Sequence, residues 1–418
     1  MKVWLFQTGE PMPVDDGNAR PMRAINLSNK LIELGHEVKI ITTDFDHFSK
    51  KARGLAFGSL RLNEALTLDF IGSPGYTKNI GIGRLIDHWR LSRNLKKYLQ
   101  ESESKPDVFF VGFPPIECAW VIIKWSMKNN IPTLVDVKDL WPEVFYSRSP
   151  HLFRPILKIF TFPLRLISRK VYRSATAIST ISDQFLSWIL QTIPRIQKPW
   201  DLVAPLTSPK KVVSEELWNE GLEYWNERGL EKNRLQPIIY FAGSINGSFD
   251  FQTILKVAHL MPEVTFVIAG EGSAQRGLIQ NAGRLENVIL PGWITELQLE
   301  VLASLSKLSI CPYVNHLDFE MSLPNKFLDA MRFGKPILTT LKGHAGNLIE
   351  TFQCGKTYDI CSADSLFRVL NSTLNNPGEI DFMGQNALNL YRDKFDFDRI
   401  YGRLVENLSL LSQKDNHD

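Results

Sequence analysis

The sequence predicts an α/β protein built from two Rossmann-like domains, and three observations predict it. Short apolar runs alternate with longer helical patterns along the whole chain, as in parallel sheets wound by helices. The scheme runs through twice, with a break in rhythm between Thr192 and Pro237, a stretch rich in Pro, Trp and Lys. The 418 residues, 44% hydrophobic and 22% charged, form a globular chain. That length suits two cores of roughly 200 residues each better than one.

In the first half, "KVWLFQ", "EVKIITT", "LTLDFIG", "DVFFVGF", "TLVDVKD" and "ATAISTIS" have the β-branched, apolar character of buried strands. Helices are expected between them at Asn18–Leu34 and Pro115–Lys128. In the second half the strands are "QPIIYFAGSI", "VTFVIAGEGS", "NVILPGW", "LSICPYV" and "KPILTT". Helices at about Phe251–Met261, Thr295–Ser304, Asn325–Arg332 and Ala345–Phe352 fill the gaps. The final segment, "FDFDRIYGRLVENLSLL", reads as one amphipathic helix with Asp396 or Asp398 in or just before its first turn.

Several function classes fall away on composition. A net charge of +3 is too small to announce a nucleic-acid binder, and no nucleic-acid partner is expected. The four cysteines, Cys118, Cys311, Cys354 and Cys361, form no CxxC pair. They read as free thiols in a reducing, cytoplasmic compartment. "MKVWLFQTGE" reads as a first strand and not as a signal peptide, and no apolar run is long enough to cross a membrane. Neither first strand is followed by GxGxxG, which argues against an NAD-dependent oxidoreductase.

The most informative stretch is "FEMSLPNKFLDAMRFGKPILTT", Phe319–Thr340. Pro324 suits the first turn of a helix that follows the strand "LSICPYV". The N-terminus of that helix points back toward the carboxyl end of the strand, where ligands bind in doubly wound sheets and where a helix dipole favours an anion. Lys326 adds a cation, and Asp329 lies one turn further on the same side. A cation for phosphate and a carboxylate for ribose hydroxyls describe a nucleoside-diphosphate site. A capped surface helix is the alternative.

These residues carry a resemblance. "SLPNKFLDAMRFGKPIL" resembles the donor-binding helix of glycosyltransferase family four, the retaining "glycosyl transferases group 1" enzymes. "GNARPMRAINLSNKLIELGHEVKIIT" is similar to the family's first loop, helix and Gly-His-Glu-Val turn. "VDVKDLWPE", "TTDFDH", "GYTKNIGIGRLIDH" and "STISD" resemble members that build bacterial surface polysaccharides. "FAGSI", "AGEGS", "LPGWI" and "ETFQCGKTYDI" follow in the family's order. The resemblance covers nearly the whole chain. It implies a GT-B fold, two Rossmann-like domains facing across a cleft. The expected domains are residues 1–205 for the acceptor, 206–395 for the nucleotide-sugar donor, and a helix over 396–418 crossing back to the first.

The resemblance also assigns residues. In the family, the second acid of a Glu-x7-Glu pair binds ribose, and Asp329 takes that place. The first acid falls on Met321, which cannot serve. Either Glu320 reaches the donor sugar through a shifted loop, or backbone amides of Met321–Leu323 do the work. Family cations after the first strand of the donor domain are missing. "GSINGSFD" offers Gly243, Ser244 and Asn246, so Lys326 is the expected phosphate cation. Ser322, Leu323, Pro324 and Asn325 complete the helix start. Gly270, Glu271 and Gly272 lie where a backbone can approach a ligand, with a tight turn as the alternative. Trp293 and Ile294 stand where the family reads the base, unless Trp293 is a core residue. In the N-terminal domain, Gly17 and Arg20 are expected at the donor phosphates, and Asp15, Asp16 and Asp139 as acceptor contacts, with solvated loop acids as the alternative for Asp15 and Asp16. Glu320, Asp139 and Arg20 are the candidate catalytic residues.

What the resemblance implies is glycosyl transfer from a nucleotide sugar, UDP favoured over GDP, with retention of configuration. Asp44–Asp46 and Asp396–Asp398 have the Asp-x-Asp spacing that holds manganese in other transferases, but neither follows the donor strand. No metal and no cofactor are expected. Between Arg148 and Arg173 there are seven Lys or Arg and no acid among many Phe, Leu and Ile, and Gly83–Leu99 has the same character. Such helices suit an anionic membrane surface and hence a saccharide or polyprenyl-linked acceptor at its cytoplasmic face. A nucleotide-sugar epimerase or hydrolase on the same fold, and a catalytically inactive nucleotide-sugar-binding protein, are the competing readings.

Overall fold

The computed structural model describes residues 1–15, 20–79, 81–147, 149–210, 213–231, 236–314 and 316–413. Gly17, Asp16 and Arg148 lie outside them. The chain divides into two units, Met1–Ser208 with Phe397–Asp418, and Pro209–Asp396.

The first unit holds an eight-stranded sheet. From one edge it runs Leu202–Val203, Ala177–Thr180, Thr133–Val137, Val108–Phe113, Lys2–Phe6, Glu37–Thr43, Leu66–Ile71 and Ser59–Arg61. All neighbours are parallel except the last pair. The second unit holds six parallel strands in the order Val288–Ile289, Thr265–Ala269, Ile238–Ala242, Leu308–Cys311, Ile337–Thr339 and Gly355–Thr357. In chain order this is 3-2-1-4-5-6, the doubly wound arrangement whose ligand crevice opens between its first and fourth strands. Central strands such as Val108–Phe113 and Thr265–Ala269 are buried throughout, because helices cover both faces.

The strands stop sooner than the apolar runs suggest. After Ala242 and Ala269 the chain enters Gly243 and Gly270, whose φ values of +147° and +138° leave the extended region. Short strands at Leu202–Val203 and Gly355–Thr357, the antiparallel edge strand Ser59–Arg61, and the hairpin Phe45–Asp46 with Lys51–Ala52 join the expected set. Their two or three residues are too few to show a pattern in sequence.

The first helix corrects the Asn18–Leu34 expectation: it spans Arg23–Glu33. Pro21 keeps the residue before it out of the α region, and Met22 is extended. Glu10 caps this helix from outside, its carboxylate accepting the Ala24 N–H at 2.9 Å. Thr295 and Gln298 form a capping box ahead of Glu296–Leu305. The last helix, Phe397–Gln413, belongs to the first unit. It buries Ile400, Tyr401, Leu404, Val405, Leu408 and Leu411 in the core shared with Val3, Leu5 and Leu27. Its Asp398 pairs with Lys30 at 2.7 Å. Cys118, Cys311 and Cys354 are buried free thiols, and Cys361 is an exposed one.

Candidate functional site

In the second unit the crevice between first and fourth strands is a small pocket lined by Tyr240, Ala242, Leu299, Ser309, Ile310, Cys311, Lys326 and Asp329. Lys326 and Asp329 come from the helix Asn325–Arg332, whose Phe327, Leu328, Ala330 and Met331 anchor its other face in the core. Three residues of spacing bring both charges to one pocket. Pro324 is the N-cap of this helix, one position before the first turn expected for it, and it offers no side-chain cap. No acid lies in the first turn. Gly334, at φ +63°, ends the helix in the left-handed conformation.

The Lys326 ammonium sits against Gly243: a Cβ there would lie 2.2 Å from Nζ. It stands 4.9 Å from the Phe249 ring centre and 5.2 Å from that of Phe241. Among the described residues no carboxylate pairs with it. Burial lowers its pKa, partly offset by Cys311 and Asp329. A half-buried ammonium facing π-clouds, without a counter-ion, gains from an anion. Asp329 lies 4.0 Å from the Arg332 guanidinium, which is held mainly by the Pro209 carbonyl at 2.9 Å and Glu296 at 3.4 Å.

The remaining expected residues scatter in role. Ser244 is exposed beside Gly243. Asn246 accepts the Ser248 N–H at 2.9 Å and so serves its own turn. Gly270 and Gly272 allow a close approach, but to protein. A Cβ on Gly270 would lie 1.9 Å from the Gly243 carbonyl oxygen, and one on Gly272 2.3 Å from that of Ile245. Backbone bonds Gly243 N–H to Ala269 (2.9 Å), Ile245 N–H to Glu271 (2.8 Å) and Gly270 N–H to Gly292 (2.7 Å) zip the loops after three strands together. Glu271 is exposed. Trp293 is 61% exposed, so it is not the core tryptophan of the alternative reading, while Ile294 packs beside the Trp225 core. Ser322 and Leu323 are buried and Asn325 is exposed.

Glu320 is engaged within the second unit. Its carboxylate accepts the Gly343 N–H, and Gly343 is the N-cap of the helix His344–Thr351. The side chain thereby caps that helix.

In the first unit, Asp139 is exposed just after the strand Thr133–Val137, and Arg20 is half-buried. Asp15 is not a freely solvated acid. It makes a two-pronged pair with Arg53 at 2.6 and 2.7 Å and accepts the Met12 N–H. Of the first Asp-x-Asp, Asp44 accepts the Leu55 N–H, and Asp46 those of Phe48 and Ser49. Both carboxylates are used by a turn.

Sequence reasoning missed a buried network at the carboxyl edge of the first sheet. The Lys138 ammonium bridges Gln7 (2.9 Å) and Glu10. Arg23 and Asp136, both fully buried, pair at 3.2 Å, Asp136 accepts the Ser179 hydroxyl, and Arg23 lies under the Tyr401 ring at 5.3 Å. The available signal was a charged residue directly at a strand end, in "FQTGE" and "VDVKD".

Two units each built on a doubly wound parallel sheet, one with a cation and an acid beside its switch point, define a GT-B type of protein. Residues 22–198 match the family model described as Glycosyltransferase Family 4, and residues 236–376 the one described as Glycosyl transferases group 1. Together they span well over half of the chain. The protein belongs to the group 1 glycosyltransferases and is an enzyme of glycosyl transfer. Among solved structures, sucrose-phosphate synthase from Thermosynechococcus elongatus superposes with a TM-score of 0.70 at 14% identity, covering 98% of each chain. Alr3699/HepE from Anabaena, in complex with UDP-glucose, gives 0.65 at 15% identity over 98% of this chain and 100% of that one. WaaG, a glycosyltransferase involved in lipopolysaccharide biosynthesis, gives 0.64 at 14% identity with the same coverage. Comparison with curated proteins gave no match.

Proposed function

We propose that the protein transfers a sugar, with retention of configuration, from a UDP-sugar to a saccharide or lipid-linked saccharide in lipopolysaccharide, capsule or exopolysaccharide synthesis. The observation that carries this is Lys326: an ammonium with no ion-pair partner among the described residues, lining one pocket with Asp329 and set against Gly243, at the switch point of the second sheet. Lys326 and the start of its helix receive the diphosphate, and Asp329 accepts from the ribose hydroxyls. UDP is favoured because the Anabaena protein of the same fold binds UDP-glucose. Trp293 and Ile294 flank the base.

Transfer develops negative charge on the leaving diphosphate, and preorganised donors stabilise it. Lys326 and the N-terminal N–H groups of Asn325–Arg332 supply this without a metal. The leaving phosphate accepts the acceptor's proton on the same face. With Glu320 engaged in capping, the sugar is met by backbone N–H groups of Met321–Leu323, the other route open from the sequence.

Peripheral membrane contact belongs to this reading. Leu152 (81% exposed), Ile156 and Ile159 (77%) project from the helical segment His151–Phe160, which also carries the cations Arg154 and Lys158. No helix among the described residues is long and apolar enough to cross a membrane.

Incubation with a panel of labelled nucleotide sugars and a bacterial glycolipid extract tests the proposal. Label moving from a UDP-sugar into the glycolipid fraction is expected. Release of a free epimer, or no turnover with any donor, would overturn it. Activity that EDTA abolishes and manganese restores would overturn the metal-independent step.

A further inference from the structure

Two motifs in the first unit take no part in the donor pocket: "TTDFDH", Thr42–His47, and "GYTKNIGIGRLIDH", Gly75–His88. The fold brings them together at the carboxyl edge of the first sheet. His47 and Lys50 follow the strand Glu37–Thr43, Tyr76 follows Leu66–Ile71, and Trp141 follows Thr133–Val137. Arg84 and His88 stand on the helix Ile82–Glu101. His47 Nδ1 is 2.6 Å from the Tyr76 hydroxyl and 3.3 Å from the Lys50 ammonium. Lys50 donates to the Asn79 side chain at 2.5 Å and lies 4.8 Å over the Tyr76 ring. Arg84 donates to the Asn79 carbonyl at 2.7 Å and meets His88 Nε2 at 3.3 Å. Its guanidinium covers the rings of Trp141 (4.7 Å) and Tyr76 (5.3 Å).

Two like charges thus share one aromatic recess, and among the described residues neither has a carboxylate within ion-pair distance. The nearest acids are used elsewhere. Asp46 accepts the N–H groups of Phe48 and Ser49, and Asp87 that of Gly75. Burial raises the Glu117 carboxyl, 3.9 Å from His88, toward its neutral form. The neighbours register the positive field, which Asp46 offsets only in part at His47 and Lys50. Burial, then Lys50 and Arg84, hold His47 down to about 4. Burial, then Arg84, lower Lys50, and burial with Arg84 and His47 takes His88 to about 3. The helix Ile82–Glu101 begins here with no acid in its first turn and no side-chain cap at Gly81. Carboxyl strand ends, a helix start and two unpaired cations together favour an anion. Stacking on aromatic rings alone leaves the cations' mutual repulsion standing.

We propose that Lys50 and Arg84, with His47 and Tyr76 beside them, bind a phosphoryl or diphosphoryl group of the acceptor. This rests on the glycosyltransferase reading, in which the donor diphosphate is held in the second unit and the anion met by the first unit comes with the acceptor. A soluble sugar phosphate and a lipid-linked diphosphate present the same chemistry.

The test is calorimetric titration of the full chain, in the presence of excess UDP, with inorganic diphosphate and with farnesyl diphosphate. Wild type is compared with Lys50→Gln and Arg84→Gln. Each variant loses a charge-assisted contact, so diphosphate affinity is expected to fall at least about tenfold while UDP affinity stays unchanged. Tighter binding of farnesyl diphosphate than of inorganic diphosphate supports a lipid-linked source; equal binding supports a soluble one. Variants that bind both probes like wild type, or a wild type that binds neither, overturn the proposal. So does loss of binding to phosphatidylglycerol vesicles with diphosphate binding intact, which would make the cluster a membrane contact. Should UDP itself fail to bind, the donor reading falls, and the difference between wild type and variants still decides this one. If Arg84→Gln does not fold, Lys50→Gln carries the test, because Lys50 is only partly buried.

Discussion

Lys326 shows how one residue carries the donor chemistry. Its ammonium is lowered by burial, so its charged fraction declines before the ordinary lysine value of 10.5 is reached. The protonated form binds diphosphate, and a bound diphosphate raises the pKa. UDP affinity is therefore expected to weaken as pH rises toward 10.5, and a titration series across pH reads this directly. An affinity independent of pH over that range would exclude Lys326 from the phosphate. Gly243→Ala places a methyl group where Nζ now lies, and UDP binding should fall with it. Asp329→Asn should weaken uridine and UDP alike, because both ligands carry the ribose. Lys326 and Asp329 were legible in the sequence because both sit on one helix at fixed spacing. Glu320 was not: its partner, the Gly343 N–H, lies 23 residues further on, and only the fold brings them together.

Among elements, the helix His344–Thr351 depends on a cap from elsewhere. Glu320→Ala leaves the Gly343 N–H without that carboxylate, a loss of about 0.5–2 kcal/mol. Urea unfolding followed in the second unit measures it. A variant of unchanged stability with lost turnover would instead return Glu320 to the reaction. The helices over His151–Ser174 carry the membrane prediction. Sedimentation with anionic liposomes is expected, with partial release at high salt, since exposed charges are screened while apolar burial is not. Ile156→Asp with Ile159→Asp should abolish it, and equal binding to neutral and anionic vesicles would contradict it. At this scale the sequence was most readable. The long apolar strands and Asn325–Arg332 were plain from periodicity, whereas the two-residue strands and the Pro21 stop at the first helix depend on local geometry and pairing.

For the molecule as a whole, the doubled Rossmann scheme could be read from alternation alone, because each buried strand needs an apolar run and each crossover a helix. The polar network of Glu10, Lys138, Arg23 and Asp136 could not, because its members lie on separate elements, from the start of a helix to a strand and the loops beyond strands. The last helix ties chain end to chain start. Removal from Phe397 onward strips six buried apolar side chains from the first unit's core, each worth about 1.5–3 kcal/mol. The truncated chain should lose the first unit's cooperative melting while the second unit still binds UDP; an intact melt of both would contradict this packing. The central claim, that Lys326 at the switch point of the second sheet holds the donor diphosphate, is tested most directly by calorimetric titration of wild type and Lys326→Ala with UDP and with uridine. A charge-assisted contact of about 1.5–3 kcal/mol is lost, so UDP affinity should fall roughly 10- to 150-fold while uridine binds unchanged. UDP binding to Lys326→Ala at wild-type affinity would contradict the account.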